Sequence, residues 1–466
     1  MADSFKEKLY GASPVMMQNA LISIQGLIFR RQRFTGKFWT YLHEAEMRAQ
    51  MGRKDIHAFQ MATLNEFIDF AYKHSTFYKN SFDTVGFRAG EISSLEDLKK
   101  LPILEKEDLR KKTEDIRVGL YDKKSLIPVF TSGTTGTPLS VGFTHDDMQQ
   151  RMAYLYRVLG RFGVKPFMRS VRFSGRTLFP RAEKNKKFWR MNYASNQLLM
   201  SSYNLRTENF DHYLKKLESF KPDFIDGYPS SVFILARYIN SIGQQGIVKP
   251  KLIMTTAETL EAHQRIEIRK AFGGCAICNQ YASSEGAPFI AEDELGDMII
   301  NTDTGVFEFV RPDTNIPAKP GEIGELLVTS FSTHAYPLIR YRIGDTVDLG
   351  PRKWAKTMQM PVIGQILGRQ EDILYTPFRG YVGRLDTVFK ASPSTIVETQ
   401  IVQTSPTSIQ LNVVPDDETF QSHDLDVIKK ELLERLGNVE IDVKYYKALP
   451  RGQNGKLRAV IGLSSN

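Results

Sequence analysis

The sequence predicts an α/β protein: a large N-terminal domain of mostly parallel sheets and helices, then a small α+β C-terminal domain. Three observations lead there. Over residues 126–350, short apolar runs alternate with helix-spaced apolar residues, the pattern of strand–helix–strand units in a parallel sheet. After Asp372 the order becomes strand, strand, helix, strand, which suits a compact α+β unit. The chain is 41% hydrophobic and 25% charged over 466 residues, which excludes disordered, collagen-like and coiled-coil classes. That length buries a large core unaided, and two cysteines exclude a disulfide scaffold.

Residues 1–125 read as mainly helical. Val15–Phe29 (VMMQNALISIQGLIF) is the most apolar stretch. It is shorter than the ~20 apolar residues of a membrane span and is interrupted by Gln, Asn and Ser. The mixed charge before it, and the lack of a small-residue cleavage site after it, are unlike a signal peptide. A cytoplasmic protein is therefore expected. With Arg30-Arg-Gln-Arg33 following, the stretch has two readings. One is an amphipathic helix packed on the domain with a basic end. The other is a foot on a membrane surface, placing the protein peripherally at the inner face. Further helices are expected around Phe38–Met51 and over Ala58–His74.

Strands are expected at Ile127–Phe130, Phe224–Gly227, Leu252–Thr256 and Glu325–Thr329. Thr144 should open a helix, because Asp147 stands three residues on, a spacing close to a capping box. In the C-terminal part, strands are expected at Ser394–Gln403, Ser408–Val414 and Val439–Tyr446, with an amphipathic helix over Leu425–Leu436. The expected division is 1–368, a hinge at 369–372, and 373–466.

Phe130-Thr-Ser-Gly-Thr-Thr-Gly-Thr-Pro138 carries the most chemistry. Gly133 and Gly136 let the backbone turn and expose its N–H groups. Five hydroxyls, on Thr131, Ser132, Thr134, Thr135 and Thr137, can donate to phosphate oxygens. The Gly-Lys-Ser/Thr ending of a Walker A loop is missing. Read alone, the stretch is either a phosphate cradle or an ordinary turn.

Four more motifs follow it: Asn279-Gln-Tyr-Ala-Ser-Ser-Glu285, Tyr341-Arg-Ile-Gly-Asp345, Gly368-Arg-Gln-Glu-Asp372 and Leu449-Pro-Arg-Gly-Gln-Asn-Gly-Lys456. Five in this order resemble the adenylate-forming superfamily of acyl-CoA synthetases, luciferases and peptide-synthetase adenylation domains. The resemblance covers nearly the whole chain. Within it the chain is most similar to the phenylacetate–CoA ligase branch, and there to the capsule-polysaccharide biosynthesis members. Leu139 stands where most acyl-CoA synthetases have Lys, as suits this branch. Gly227-Tyr-Pro-Ser-Ser231 and Ser201-Ser-Tyr-Asn-Leu205 also look like the capsule members. Ala282 replaces a usual Gly, and Glu371 a usual Asp or Lys.

The resemblance implies ATP-dependent activation of a small carboxylic acid, with Mg²⁺ as cofactor and CoA as the default acceptor. An amine acceptor, such as an amino acid joined to a sugar acid, is the alternative. It implies that residues 131–137 bind pyrophosphate, Tyr281 stacks on adenine, Ser284 assists at the metal and Glu285 binds Mg²⁺. Asp345 would accept from the ribose hydroxyls. Arg369 would donate to ribose or α-phosphate, and Glu371 would lie in the hinge. Lys456, on a mobile C-terminal domain, would bridge the carboxylate and α-phosphate during adenylation. Gly227, Tyr228, Pro229 and Ser230 are candidates for the acid pocket. A non-catalytic scaffold keeping the fold is disfavoured by the intact Glu285, Asp345, Arg369 and Lys456.

Two features fall outside these motifs. Cys275-Ala-Ile-Cys278 is a buried strand with structural thiols, half of a zinc site or a redox pair. Arg169–Arg190 holds eight basic residues and one acidic, Glu183, and so supplies +7 of the chain's +9. It has no nucleic-acid motif beside it, so nucleic-acid binding is not expected. It reads as a solvated loop, or as a contact for an anionic substrate or polymer, CoA phosphates or a lipid surface.

Overall fold

The N-terminal quarter is helical in the computed structural model. The structure describes residues 10–463 except 12, 89, 131–139, 175–185, 203, 206–208, 258–259, 261, 313, 370–373, 383–384, 386–387, 389–394, 416–419, 448 and 450–459. The helix Arg53–His74 buries Ile56, Gln60, Leu64, Phe67, Ile68 and Ala71, one stripe at helical spacing. It gives way at Ser75, whose hydroxyl accepts from Tyr78 N to start the next helix. This layer shares a core with later strands through Leu64, Phe67, Leu326, Val328 and Tyr341.

Strands β1 (Ile127–Phe130) and β2 (Ser140–Phe143) pair as an antiparallel hairpin on either side of residues 131–139. Thr144 then opens the helix His145–Arg161 as its sequence predicts. The Thr144 hydroxyl accepts from Asp147 N at 2.9 Å and donates to Asp147 Oδ2 at 2.8 Å.

The strands that follow are β3 (Ser170–Ser174), β4 (Trp189–Asn192), β5 (Gln197–Ser201), β6 (Phe224–Gly227), β7 (Leu252–Thr256), β8 (Ala276–Tyr281), β9 (Ile290–Glu292) and β10 (Met298–Ile300). Next come β11 (Gly305–Val310), β12 (Ile323–Ser330), β13 (Tyr341–Asp348), β14 (Lys353–Trp354), β15 (Pro361–Ile363) and β16 (Gln365–Arg369). One ten-stranded sheet runs β14-β15-β10-β9-β8-β7-β6-β3-β5-β4. Its neighbours β8, β7, β6, β3 and β5 are parallel. A second sheet, β11-β12-β13-β16, is antiparallel. The parallel expectation thus describes the interior of the large sheet. Among the described residues no helix long enough for a crossover separates β11, β12 and β13, so those strands pair antiparallel.

From Leu374 onward the chain has its own core. A hairpin of β17 (Leu374–Thr376) and β18 (Gly380–Val382) leads to β19 (Ile396–Ser405) and β20 (Ser408–Pro415). The helix Asp424–Leu436 buries Leu425, Ile428, Leu432 and Leu436. Strands β21 (Glu440–Tyr445) and β22 (Val460–Ile461) complete a sheet ordered β21-β20-β19-β22. The strand-strand-helix-strand reading is matched, with β22 added beside β19.

The apolar stretch near the N-terminus forms the helix Val15–Phe34, with Arg31 and Arg33 in its last turn. It packs on the domain through a mixed face: Gln18 and Gly26 are buried, Ile22 and Phe29 are half-buried, and the Phe34 ring meets Phe38, Tyr156 and Phe167 edge-on. It lies along β4, the edge strand, and Met191 N donates to Asn19 Oδ1 at 2.9 Å. Gly26 permits the close approach, since a Cβ there would stand 2.1 Å from Asn192 Oδ1.

Candidate functional site

Parallel strands leave their carboxyl ends on one edge, where open α/β sheets place ligands. Gly227 ends β6 and Tyr281 ends β8, with β7 between them. The proposed acid-pocket residues and the adenine motif are therefore two strands apart on that edge. Thr255 Oγ1 donates to Asn279 Oδ1 at 3.1 Å, tying β7 to the start of the motif. Gly227 is buried against Phe173 and Val232, and a Cβ there would come within 3.1 Å of Phe173. Tyr228 precedes the helix Pro229–Ser241, which Pro229 opens, the position where proline's missing N–H costs nothing. Ser230 lies in that first turn.

The Tyr341–Asp345 motif meets Gly368 and Arg369 across a strand pair. Asp345 on β13 stands opposite Arg369 on β16, and Thr346 Oγ1 donates to Gly368 O at 3.1 Å. The pairing shifts register between Thr346 and Val347, an irregularity of the kind that re-aims side chains beside active sites. The Tyr281 hydroxyl donates to Asp345 Oδ2 at 2.8 Å. Three motifs far apart in sequence are thereby brought to one place. Tyr281 is largely buried and also belongs to the apolar core, so its ring is held rigidly behind the hydroxyl.

Four residues past Tyr281, Glu285 sits in a turn with 6% of its surface exposed. Among the described residues it has no hydrogen bond and no ion pair. Ser284 beside it is exposed. The turn is anchored by residues that sequence reasoning does not single out. Arg151 Nη1 donates to Gly286 O at 2.8 Å, to Ala287 O at 3.1 Å and to Ser332 Oγ at 3.1 Å. Ser330 Oγ donates to the same Gly286 carbonyl at 2.6 Å. Burial pushes the Arg151 guanidinium down to about 10, against the pull of Asp147. Asp147, the capping carboxylate after β2, also accepts from His334 N at 3.1 Å and contacts His334 Nδ1 at 2.7 Å. It thus ties the segment after residues 131–139 to the β12–β13 connection. The capping signal was visible in sequence, but its partner lies 187 residues away.

Thr131, Ser132, Gly133, Thr134, Thr135, Gly136 and Thr137 lie outside the described residues, as do Glu371 and Lys456. Arg369 is described through its backbone alone.

Cys278 packs with Val158, Leu159 and Met254, whereas Cys275 packs against the core of Phe272, Ile268 and Ile253. The two thiols therefore face different cores. Burial pushes Cys275 up to about 12 and raises Cys278 as well, which suits inert thiols better than metal-binding thiolates. In the basic segment, Arg169 pairs with Asp223 and Arg172 with Asp226. Arg190 is buried and donates to Gln18 Oε1 and to the Lys187 and Trp189 carbonyls. These three charges serve the fold.

Known proteins bear on this geometry. A family model described as the CapK C-terminal domain matches residues 374–462. Protein CapK of Staphylococcus aureus is 34% identical over 457 residues, covering 97% of this chain and 98% of that protein. The chain belongs to the CapK family. Phenylacetate-coenzyme A ligase of Thermus thermophilus is 26% identical over 447 residues, covering 88% of this chain and 97% of that protein. The CapK-family chain thus stands with the phenylacetate–CoA ligase branch of the adenylate-forming superfamily. Among solved structures, 2-hydroxyisobutyryl-CoA ligase in the postadenylation state with 2-HIB-AMP superposes with a TM-score of 0.63 at 19% identity. It covers 89% of this chain and 91% of that one. That match shows the adenylate-forming ligase fold.

Proposed function

We propose that this protein activates a small carboxylic acid with ATP and passes the acyl group to coenzyme A. The observation that carries the reading is the meeting of Tyr281, Asp345 and the Arg369 position, with the buried Glu285 four residues past Tyr281. A carboxylate oxygen of the acid attacks the α-phosphorus of ATP. The α–β bridging P–O bond breaks and pyrophosphate leaves. The thiolate of CoA then attacks the acyl carbon, the C–O bond to AMP breaks, and a thioester and AMP depart. Catalysis here is mostly positioning of anions and neutralisation of their charge.

Asp345 keeps one oxygen on Tyr281, which orients the other toward the vicinal ribose hydroxyls. Adenine stacks on the part of the Tyr281 ring that the apolar core leaves uncovered. Arg369 offers a planar fork of donors to ribose or α-phosphate oxygens. The hydroxyls and N–H groups of residues 131–137 receive pyrophosphate. Lys456 bridges the carboxylate and the α-phosphate as charge redistributes. Residues 227–230 line the acid pocket.

Glu285 fits a Mg²⁺ site, because it is buried and, among the described residues, without a partner for its charge, with Ser284 exposed beside it. The cation, when bound, neutralises phosphate oxygens. Residues 1–368 form the nucleotide domain, and 373–466 form a domain that reorients about 369–372 between the two half-reactions.

Pyrophosphate release over a panel of acids, with CoA and then with candidate amines, tests the reading. Stimulation by CoA with thioester formation is expected. Stimulation by an amine but not by CoA would replace the thiol acceptor and make the protein an amide ligase.

A further inference from the structure

The helix Val15–Phe34 turns its longest apolar stripe outward. A surface helix normally turns its apolar stripe inward. Here the inward face is mixed, with half-buried Ile22 and Phe29 beside Gln18, Asn19 and Ser23, and its polar side chains meet an unpaired sheet edge. Asn19 Oδ1 accepts from Met191 N at 2.9 Å, and Ser23 Oγ accepts from Tyr193 N at 3.0 Å. Gln18 Nε2 donates to the carbonyls of Tyr10 and Ser13 at 3.0 and 2.9 Å, while its Oε1 takes Arg190 Nε. These side chains satisfy edge groups that would otherwise seek another strand. That accounts for the inward polar side chains and leaves the outward apolar stripe without a role in the fold.

The outward face carries Met16, Met17, Leu21, Ile24, Leu27 and Ile28, which are 84%, 54%, 42%, 57%, 57% and 47% exposed. At 3.6 residues per turn they share an arc of roughly 140°. Such a continuous exposed stripe marks an interaction surface. Its surroundings are basic. Arg31 is exposed and extends the same arc at the helix end, and Lys186 and Lys187 are exposed just before β4. Tyr193, 67% exposed, lies at the strand end that Ser23 holds. Among the described residues no helix is long and apolar enough to cross a membrane.

We propose that this helix lies in the headgroup layer of an anionic lipid bilayer, with its outward stripe in the acyl boundary. The charge complementarity of Arg31, Lys186 and Lys187 with anionic headgroups selects lipid over a neutral apolar partner. An in-plane helix with a basic end and a solvent-facing apolar stripe is the arrangement that binds such surfaces. The inference is independent of the reaction.

Flotation of the full chain tests it, with vesicles of phosphatidylcholine alone and of phosphatidylcholine mixed equally with phosphatidylglycerol. Binding to the mixed vesicles is expected, weakening as salt rises. Ile24→Gln with Ile28→Gln should lower the partition at least tenfold. Arg31→Gln should lower it about fivefold, the equivalent of ~1 kcal/mol for one basic residue at an anionic surface. All three side chains are exposed, so pyrophosphate release in solution and thermal unfolding should stay at wild-type values. Three results would overturn the proposal. They are wild-type protein that floats with neither vesicle, an Ile24/Ile28 variant that partitions like wild type, and a dimer that this variant converts to monomer without vesicle binding. The last would show that a second copy covers the stripe.

Discussion

Gly286→Ala probes the turn that carries Glu285. Gly286 has φ of +106°, beyond the left-handed region that side chains tolerate; alanine there costs about 1–3 kcal/mol. Its Cβ would also stand 2.7 Å from Thr333 Cγ2 and 2.8 Å from Phe143 Cε1, overpacking that costs about 1–3 kcal/mol. The sum, about 2–6 kcal/mol, rivals or exceeds one hydrogen bond from a charged donor such as Arg151, worth ~1.5–3 kcal/mol. The turn should therefore shift and take Glu285 with it. A displacement on the order of 1 Å at a reacting site costs on the order of 100-fold in rate. Acid-dependent exchange of pyrophosphate into ATP, run across a Mg²⁺ series with thermal unfolding in parallel, reads both effects. Turnover should fall about 100-fold, the Mg²⁺ requirement should rise, and the folded state should persist with a lowered Tm. Wild-type exchange at every Mg²⁺ concentration would refute the reasoning.

Other outcomes follow from the same contacts. Tyr281→Phe removes the hydroxyl held by Asp345 and should raise the KM for ATP about tenfold, with kcat less affected; an unchanged KM would separate the pair from ribose binding. Glu285→Gln should raise the Mg²⁺ requirement, because an amide is a weaker ligand for a hard cation, and an unaltered Mg²⁺ profile would exclude it. Lys456→Ala should lower acyl-adenylate formation by several orders of magnitude while nucleotide binding is kept; near-normal exchange would remove the lysine from catalysis. Asp303 is fully buried between Arg157 and Arg48. Burial alone would raise its carboxyl, but the two guanidiniums outweigh that and hold it below the ordinary value. Its contribution to stability is therefore present above the usual carboxylate range and lost as pH falls through the depressed value. Asp303→Asn should cost about 3–5 kcal/mol at neutral pH. The gap to wild type should close in acid, as denaturant melts at several pH values would report.

Local patterns were legible in the sequence where one element decides them. The strands Phe224–Gly227 and Leu252–Thr256 have the bounds the sequence predicts, because short buried strands are bounded by turn chemistry on both sides. The helix start at Thr144 followed from a cap three residues long. The three-residue strands β9, β10 and β15 were too short to show a period. For Val15–Phe34, periodicity showed which residues share a face but not which face is buried, since the sheet edge it meets lies 170 residues away. The site divides in the same way. Glu285 and Asp345 stand out within their motifs, whereas Arg151 is 135 residues from the carbonyl it holds. An arginine at helical spacing from the apolar Tyr154 and Val158 was the available signal.

The fate of the acid's oxygen tests the adenylate most directly. With ¹⁸O in the carboxylate of an acid that supports turnover, attack on the α-phosphorus carries one labelled oxygen into AMP, whichever acceptor follows. AMP bearing one ¹⁸O, with unlabelled pyrophosphate, is the expected result. ADP with ¹⁸O in orthophosphate would mean attack at the γ-phosphorus and would contradict adenylate formation.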